Sequence, residues 1–292
     1  MTHIAMIGLG HMGEPIAQNL LKLDGELRVY NRTRSKADAL VAQGATVADT
    51  PGQAAAGAAV VVSSMLDDRS MLDLLAGPDG LLAQMDARAV HVCTTTISPG
   101  CAVELERLHR EAGQRFVASP VIGRPPAAAA GTLIVLAAGS DDALAAARPV
   151  MSAFSNQIIE AGADAAQAYT MKLAVNFFIV SMIELFGELF AFTAKGGIDP
   201  EPMAELISTM VKHPAITEYL SRVSEQRFGD AGFEALTGLK DVTLMLERSS
   251  ELRAPLPYAS LIRERLLTAV AEGNERMDWS VIAQIARHQA GL

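Results

Sequence analysis

Cysteine is scarce in this 292-residue chain: only Cys93 and Cys101 occur. That excludes a disulfide framework and a thiolate zinc cluster, and the expected compartment is a reducing cytoplasm. Positive charge is also short. There are 24 Lys+Arg against 33 Asp+Glu, a formal net charge of −9, with no basic patch to offset it, so neither DNA nor RNA is an expected partner. No metal-ligand spacing is found, and no internal repeat. The start, MTHIAMIGLGHMG, lacks a basic n-region and runs quickly into glycines, so it is not expected to be a signal peptide. A clean membrane span is missing too. The one long apolar run, Leu173 to Ala194, carries Asn176, Glu184 and Glu188, and ionisable groups at that depth are costly in lipid. It is expected to be a buried helix of a soluble protein, with no membrane partner. What the chain does have is 50% hydrophobic and 20% charged residues, which suits a globular core and excludes disorder as the main state. At roughly 150 residues per domain, two domains are expected.

The pattern along the chain changes once. HIAMI (3–7), LRVY (27–30), AVVVSS (59–64), AVHVC (89–93) and TLIVLAA (132–138) read as short buried strands. Helical patterns at 12–22, 34–43, 68–75, 98–112 and 141–153 lie between them. This alternation predicts an α/β doubly wound parallel sheet covered on both faces, of the Rossmann type, over residues 1–161. From 164 to 195 one helical run continues for about 48 Å at 1.5 Å per residue. Gly196 and Gly197 then end it. Helices are expected at 200–212, 214–227, 237–251, 256–272 and 279–289, so residues 162–292 are expected to form an all-α substrate and oligomerisation domain that begins with the long helix.

The first strand runs into Gly8-Leu9-Gly10-His11-Met12-Gly13, a GxGxxG pattern that opens an apolar helix. Gly8 permits the tight turn, Gly10 lets backbone N–H groups reach a pyrophosphate, and Gly13 lets helix and strand pack closely. The second strand ends without the carboxylate that an NAD ribose hydroxyl requires. Asn31, Arg32 and Thr33 stand there instead. They can donate hydrogen bonds to a 2′-phosphate that an acidic residue would repel, so NADP(H) is expected in preference to NAD(H).

At this point the chain resembles the β-hydroxyacid dehydrogenase family, to which 3-hydroxyisobutyrate dehydrogenase belongs, within the 6-phosphogluconate dehydrogenase superfamily. Gly8–Gly13 with Pro15-Ile16-Ala17-Gln18-Asn19-Leu20 is similar to the opening signature, and Ser64-Met65-Leu66 to a loop bordering the cofactor. Thr95-Thr96-Ile97-Ser98-Pro99 matches the segment whose threonine approaches the nicotinamide. Lys172-Leu173 with Asn176 matches the catalytic lysine and its companion asparagine, and Leu239-Lys240-Asp241 matches a late motif whose lysine lies near the cofactor. The resemblance implies that Leu9, His11, Met12, Met65, Leu66, Thr96 and Lys240 line the cofactor beside the glycines and the 31–33 turn. It also implies a homo-oligomer, a dimer or tetramer. One motif departs from the pattern. Where the family has Asp-Ala-Pro-Val-Ser-Gly-Gly around the substrate carboxylate, this chain reads Ala118-Ser119-Pro120-Val121-Ile122-Gly123-Arg124. Ser119, Ile122, Gly123 and Arg124 then form the substrate loop. Ile122 has no donor to offer, and Arg124 can supply a bidentate replacement.

Reduction of a carbonyl needs hydride from the nicotinamide and a proton for the developing alkoxide. Lys172 can give that proton and stabilise the oxyanion first. Asn176 lies one turn on, on the same helix face, and can orient the lysine or bond the substrate oxygen. The expected activity is an NADPH-dependent oxidoreductase acting on a small aldehyde, keto acid or 3-hydroxy acid. An imine reductase-like enzyme is the alternative, although such enzymes place Asp or Tyr where Lys172 stands. A dinucleotide-binding interaction module without catalysis is the alternative of another class. Glu184 and Glu188 are expected to cap helices or meet a neighbouring subunit. Asp241 and His213 are expected to serve structure. Cys93 reads as a buried thiol, while Cys101 sits at a helix start, a place that can lower a thiol pKa.

Overall fold

The computed structural model describes residues 2–211 and 213–292. The chain divides into two compact units, one ending at Lys172 and one running from Leu173 to Leu292. The first is built on nine strands: β1 (Thr2–Ile7), β2 (Gly25–Tyr30), β3 (Thr46–Val47), β4 (Val60–Ser63), β5 (Val90–Cys93), β6 (Arg115–Ala118), β7 (Val121–Ile122), β8 (Leu133–Ala138) and β9 (Ser155–Gly162). Their order is β3-β2-β1-β4-β5-β6-β8-β7, with β9 on β8. The chain leaves β1 towards β2 on one side and returns to β4 on the other. That reversal opens a crevice at the carboxyl ends of β1 and β4, where doubly wound sheets hold their ligands.

The α/β class with a helical second part is as expected, but the sheet is not wholly parallel. β8 pairs antiparallel with β6 and β7. Four strands lay outside the sequence reading. β3 and β7 have two residues each, β6 has four, and the exposed positions of β9 give its sequence, SNQIIEAG, no continuous apolar run. The helix expected at 34–43 is a 3-10 turn, Arg34–Ala37, followed by one turn of α-helix, Asp38–Val41. One core lies on each face of the sheet. The first joins Met6, Ile16, Val29, Val62, Val92 and Phe154, and the second joins Ile7, Val61, Met71, Cys93, Phe116 and Tyr169.

The second unit is helical: the rest of Ala165–Lys195, then Pro200–Met210, Pro214–Ser224, Ala235–Leu252, Pro257–Ala271 and Ile282–Gln289. The expected helix 200–212 ends at Met210, and Lys212 lies outside the described residues. Trp279 anchors this core, donating its indole N–H to Tyr219 Oη at 2.9 Å. The helix Ala165–Lys195 is long and apolar enough to cross a membrane by length and composition. Its buried face, however, goes into protein: Tyr169 packs in the first unit, and Val180, Ile183, Phe186 and Phe190 pack in the second.

Behind β4 and β5 runs a buried hydrogen-bonded chain. Gln114 Nε2 donates to the carbonyls of Leu82 and Met85, so its Oε1 faces His109 Nδ1 at 2.9 Å as acceptor. His109 therefore carries its proton on Nδ1, and its Nε2 accepts from His91 Nδ1 at 2.8 Å. His91 Nε2 in turn accepts from the Ser63 hydroxyl at 2.7 Å. Burial pushes His109 down to about 4 and His91 well below 6.5, with the neighbouring His109 acting in the same direction on His91. Both rings are thus neutral in the folded state at pH values where the unfolded chain already binds protons. Stability is full above pH 6.5 and falls as the pH drops towards 4. His109 alone accounts for a loss of about 3 kcal/mol. Urea unfolding midpoints measured from pH 7 to 4.5 should decline steadily, and a level midpoint over that interval contradicts the neutral pair.

Candidate active site

The loop after β1 is shaped by what its glycines leave out. Gly8 has φ +88°, and a Cβ on it would lie 2.2 Å from the Ser64 carbonyl oxygen. A Cβ on Gly13 would lie 1.9 Å from the Gly8 carbonyl oxygen, so the helix Gly13–Leu20 can start only with glycine there. A Cβ on Gly10 would meet nothing within 4 Å. That glycine borders open space, and the helix start behind it has no side-chain cap. An open glycine before an uncapped helix N-terminus fits a pyrophosphate, which takes backbone N–H groups in place of a cap.

Asn31 holds this loop rather than extending from it. Its Oδ1 accepts the Leu9 N–H at 2.9 Å and its Nδ2 donates to the Thr33 carbonyl at 2.9 Å. Arg32 and Thr33 are exposed, so they are the residues of the 31–33 turn that remain presented to a ligand. His11 is exposed, and Leu9 is buried in the core. On the β4 side, Leu66 is exposed and Met65 is half-buried, its N–H donated to Thr95 Oγ1 at 2.8 Å. Thr95 is thereby committed to the loop, and Thr96 stands half-buried beyond it.

The 118–124 segment lies at the end of β6. Ser119 is fully buried, its hydroxyl against the Val117 carbonyl and Met151 Sδ, both at 3.4 Å. Its side chain faces the core. Ile122 packs on the second core. Gly123 adopts φ +138°, and a Cβ there would press on Leu133. Arg124, half-buried, precedes the short helix Pro125–Ala129. One residue that sequence reasoning missed ties this segment to the helix that follows the glycine loop. Asn19 Nδ2 donates to the Ala128 carbonyl at 2.7 Å and the Pro15 carbonyl at 3.0 Å, and its Oδ1 accepts from Lys22 Nζ at 2.7 Å. A polar amide on an otherwise apolar helix face was the available signal.

Lys172 lies on the helix Ala165–Lys195 and is 7% exposed. Three residues before it, the buried Tyr169 donates its hydroxyl to the Cys93 carbonyl at the end of β5, at 3.3 Å. Tyr169 thereby holds the lysine's turn to the strand that leads into Thr94–Thr96. Burial raises the Tyr169 phenol well above its usual range, so the hydroxyl keeps the proton that this hydrogen bond needs. In the second unit, Asn176 Nδ2 donates to Asp241 Oδ2 at 2.5 Å, and Lys240 Nζ lies 3.1 Å from Asp241 Oδ1.

Two stretches of the chain match known families. Residues 3–162 fit the NAD binding domain of 6-phosphogluconate dehydrogenase, and residues 166–286 fit the "NAD-binding of NADP-dependent 3-hydroxyisobutyrate dehydrogenase". The chain belongs to the β-hydroxyacid dehydrogenase family. It is 38% identical to the uncharacterized oxidoreductase YfjR of Bacillus subtilis, over 96% of this chain and 98% of that one. It is 31% identical to the NAD-dependent L-serine dehydrogenase of Pseudomonas aeruginosa, over 98% of each. A structure of Mycobacterium tuberculosis 3-hydroxyisobutyrate dehydrogenase with L-serine matches at TM-score 0.86 and 25% identity, covering 98% of this chain and 99% of that one. With the family comes its class: an NAD(P)-dependent oxidoreductase of hydroxy acids.

Other expected residues take other places in this dehydrogenase. Cys101 is not activated by its helix start. Burial, followed by the Asp68 charge, pushes its thiol up to about 12. Glu184 is fully buried and bonds Arg265 Nε at 2.6 Å, so it pairs within its own unit rather than capping a helix. Burial raises its carboxyl, with Arg265 opposing. Among the described residues, no cluster of three His, Cys, Asp or Glu side chains is arranged to hold a metal.

Two substitutions test this frame. Gly13→Ala drives a methyl into the Gly8 carbonyl and should abolish cofactor binding in a fluorescence titration. Asn19→Ala removes the buried donor facing Ala128 and Pro15. It should cost about 1–3 kcal/mol in urea unfolding and raise KM more than it lowers cofactor affinity.

Proposed function

We propose that the chain is an NADP(H)-dependent enzyme that transfers hydride between the nicotinamide and a small aldehyde or keto acid, or a 3-hydroxy acid in reverse, with Lys172 as general acid and base. The observation that carries the reading is a nearly buried lysine, one turn after the tyrosine anchor on Cys93. When bound, the cofactor supplies or accepts the hydride. Lys172 then stabilises the negative oxygen that develops on the substrate and passes its proton to it; in oxidation it removes the hydroxyl proton. Its ammonium disfavours an imine substrate, whose iminium form carries like charge. The NADP preference rests on Arg32 and Thr33, exposed at the end of β2 where no carboxylate stands. Gly123 and Arg124 are the loop residues we assign to the substrate carboxylate. Ile122 replaces a hydroxyl with an apolar wall, so the guanidinium carries that recognition.

We also infer that the enzyme works as a homo-oligomer in the cytoplasm. Phe178, Leu185 and Phe192, at seven-residue spacing on the long helix, are 58%, 55% and 79% exposed. The stripe is palindromic about Leu185. A second copy laid antiparallel across it sets Phe178 against Phe192 twice and Leu185 against itself, which is the self-complementarity a two-fold interface requires.

Lys172→Ala should lower kcat by about 10³-fold and leave NADPH affinity unchanged. Retained turnover removes the lysine from the reaction. Arg32→Ala should weaken NADPH at least about tenfold and NADH little; equal losses defeat the NADP assignment. In sedimentation velocity, the double variant Phe178→Ser/Phe192→Ser should run as a smaller species than the parent. An unchanged sedimentation coefficient defeats the seam.

A further inference from the structure

We infer that Asp49 is a specificity-determining residue that works against NADP(H): from the end of β3 it pairs with Arg34 and sets a negative charge beside the place that Arg32 and Thr33 offer to a 2′-phosphate. The inference rests on the reading of that turn as the 2′-phosphate site.

No carboxylate follows β2 in the sequence, but the sheet brings one there from the neighbouring strand. β2 and β3 run parallel, with Val29 beside Val47. The Ala48 N–H continues the ladder onto the Val29 carbonyl at 2.9 Å. Two residues past the Val29–Val47 pair stand Asn31 on one strand end and Asp49 on the other, and neighbouring strands are about 4.8 Å apart. Asp49 is therefore next to the 31–33 turn, on the side of the edge strand. Both backbones are held. The Asp49 N–H donates to Gln53 Oε1 at 3.1 Å, and the Gln53 N–H donates to Thr50 Oγ1 at 3.1 Å. In the turn, the Thr33 carbonyl accepts from Asn31 Nδ2 at 2.9 Å and from the Lys36 N–H at 3.2 Å. Between the two strand ends, the Arg34 guanidinium donates to Asp49 Oδ1.

Arg34 and Asp49 are 61% and 76% exposed, so the pair is solvated and contributes little to stability. Its weight lies in the field it leaves around the turn. A 2′-phosphate carries about two negative charges at neutral pH and gains from every guanidinium near it. Arg32 and Arg34 are the two guanidinium groups here, and the second is already directed to Asp49. The carboxylate thus acts against the phosphate twice: its own charge repels, and it competes for Arg34. The ribose hydroxyls of NAD(H) carry no charge and feel little of either effect. Selectivity is a difference between two affinities. Asp49 therefore narrows the margin by which NADP(H) is favoured, and Arg34 limits how far it does so.

The test is a set of fluorescence titrations of the full chain with NADPH and with NADH at low ionic strength. The proteins are the parent, Asp49→Asn, Asp49→Glu, Arg34→Ala and the pair R34A/D49N. In D49N the ratio of NADPH to NADH affinity should rise about threefold or more, through NADPH, and roughly 0.5 M NaCl should remove most of that gain. D49E, which keeps the charge, should stay within about twofold of the parent. R34A leaves the carboxylate uncompensated and should lower the ratio about threefold or more, and the pair should return it to within about twofold of the parent. A level ratio in D49N, equal gains for the two cofactors, or a rise in D49E as large as in D49N each overturns the inference. So does a pair that stays as low as R34A. Arg32→Ala, titrated alongside, separates the two failures. Equal losses there defeat the reading of the turn, whereas a loss confined to NADPH together with a level ratio in D49N defeats the role of Asp49 alone.

Discussion

The fold around the site depends on one steric condition: the Gly8 carbonyl occupies the space that a side chain at position 13 would fill. Because that space is free, the helix Gly13–Leu20 begins directly against β1 and the loop between them stays tight. The Ser64 carbonyl imposes the same condition on Gly8 from the β4 side. The two loops that diverge at the switch in strand order are thus set by backbone-to-backbone contact, with side chains excluded. Asn31 then ties the loop to the end of β2 through the Leu9 N–H. A site made this way holds its shape before any ligand arrives, which is what binding an anion through main-chain N–H groups demands.

Much of this was legible in the sequence, for a physical reason. Local signals suffice where structure is local. The run into Gly8–Gly13, the buried strands β1, β2, β4, β5 and β8, and the 31-residue helix all announce themselves by apolar period and glycine placement. The absence of a carboxylate after Tyr30 is also a local fact. The strands that went unread have little local signal: β3 and β7 are two residues long, and β9 carries polar residues at its exposed positions. Periodicity cannot separate such segments from loop.

The site's side chains were legible as residues but not as roles. Asn176 and Asp241 are 65 positions apart, Asn19 and Ala128 are 109 apart, and Tyr169 and Cys93 are 76 apart. No window of sequence contains these partners, so which amide atom faces which acceptor is fixed only by the fold. Ser119 makes the same point from the other side. Its place in a recognisable motif is a local fact, while its hydroxyl's neighbour, Met151, lies 32 positions on. Cys101 sits at a helix start that on local grounds should acidify a thiol, but its burial and the nearby Asp68 charge outweigh that dipole.

The Asn19 bridge has a consequence for how such a protein can change. One amide stitches the first helix, after the glycine loop, to the Ala128 and Ala129 carbonyls of the Pro125–Ala129 helix. The two segments are therefore not interchangeable modules. A loop transplanted into this scaffold in place of the Pro125–Ala129 segment would have to bring a carbonyl to that same amide, or leave it buried without a partner there. With Gly123 and Arg124 assigned to the substrate as proposed, change of substrate is for that reason channelled towards the side chains at 122–124 and away from the length and backbone path of the segment that carries them.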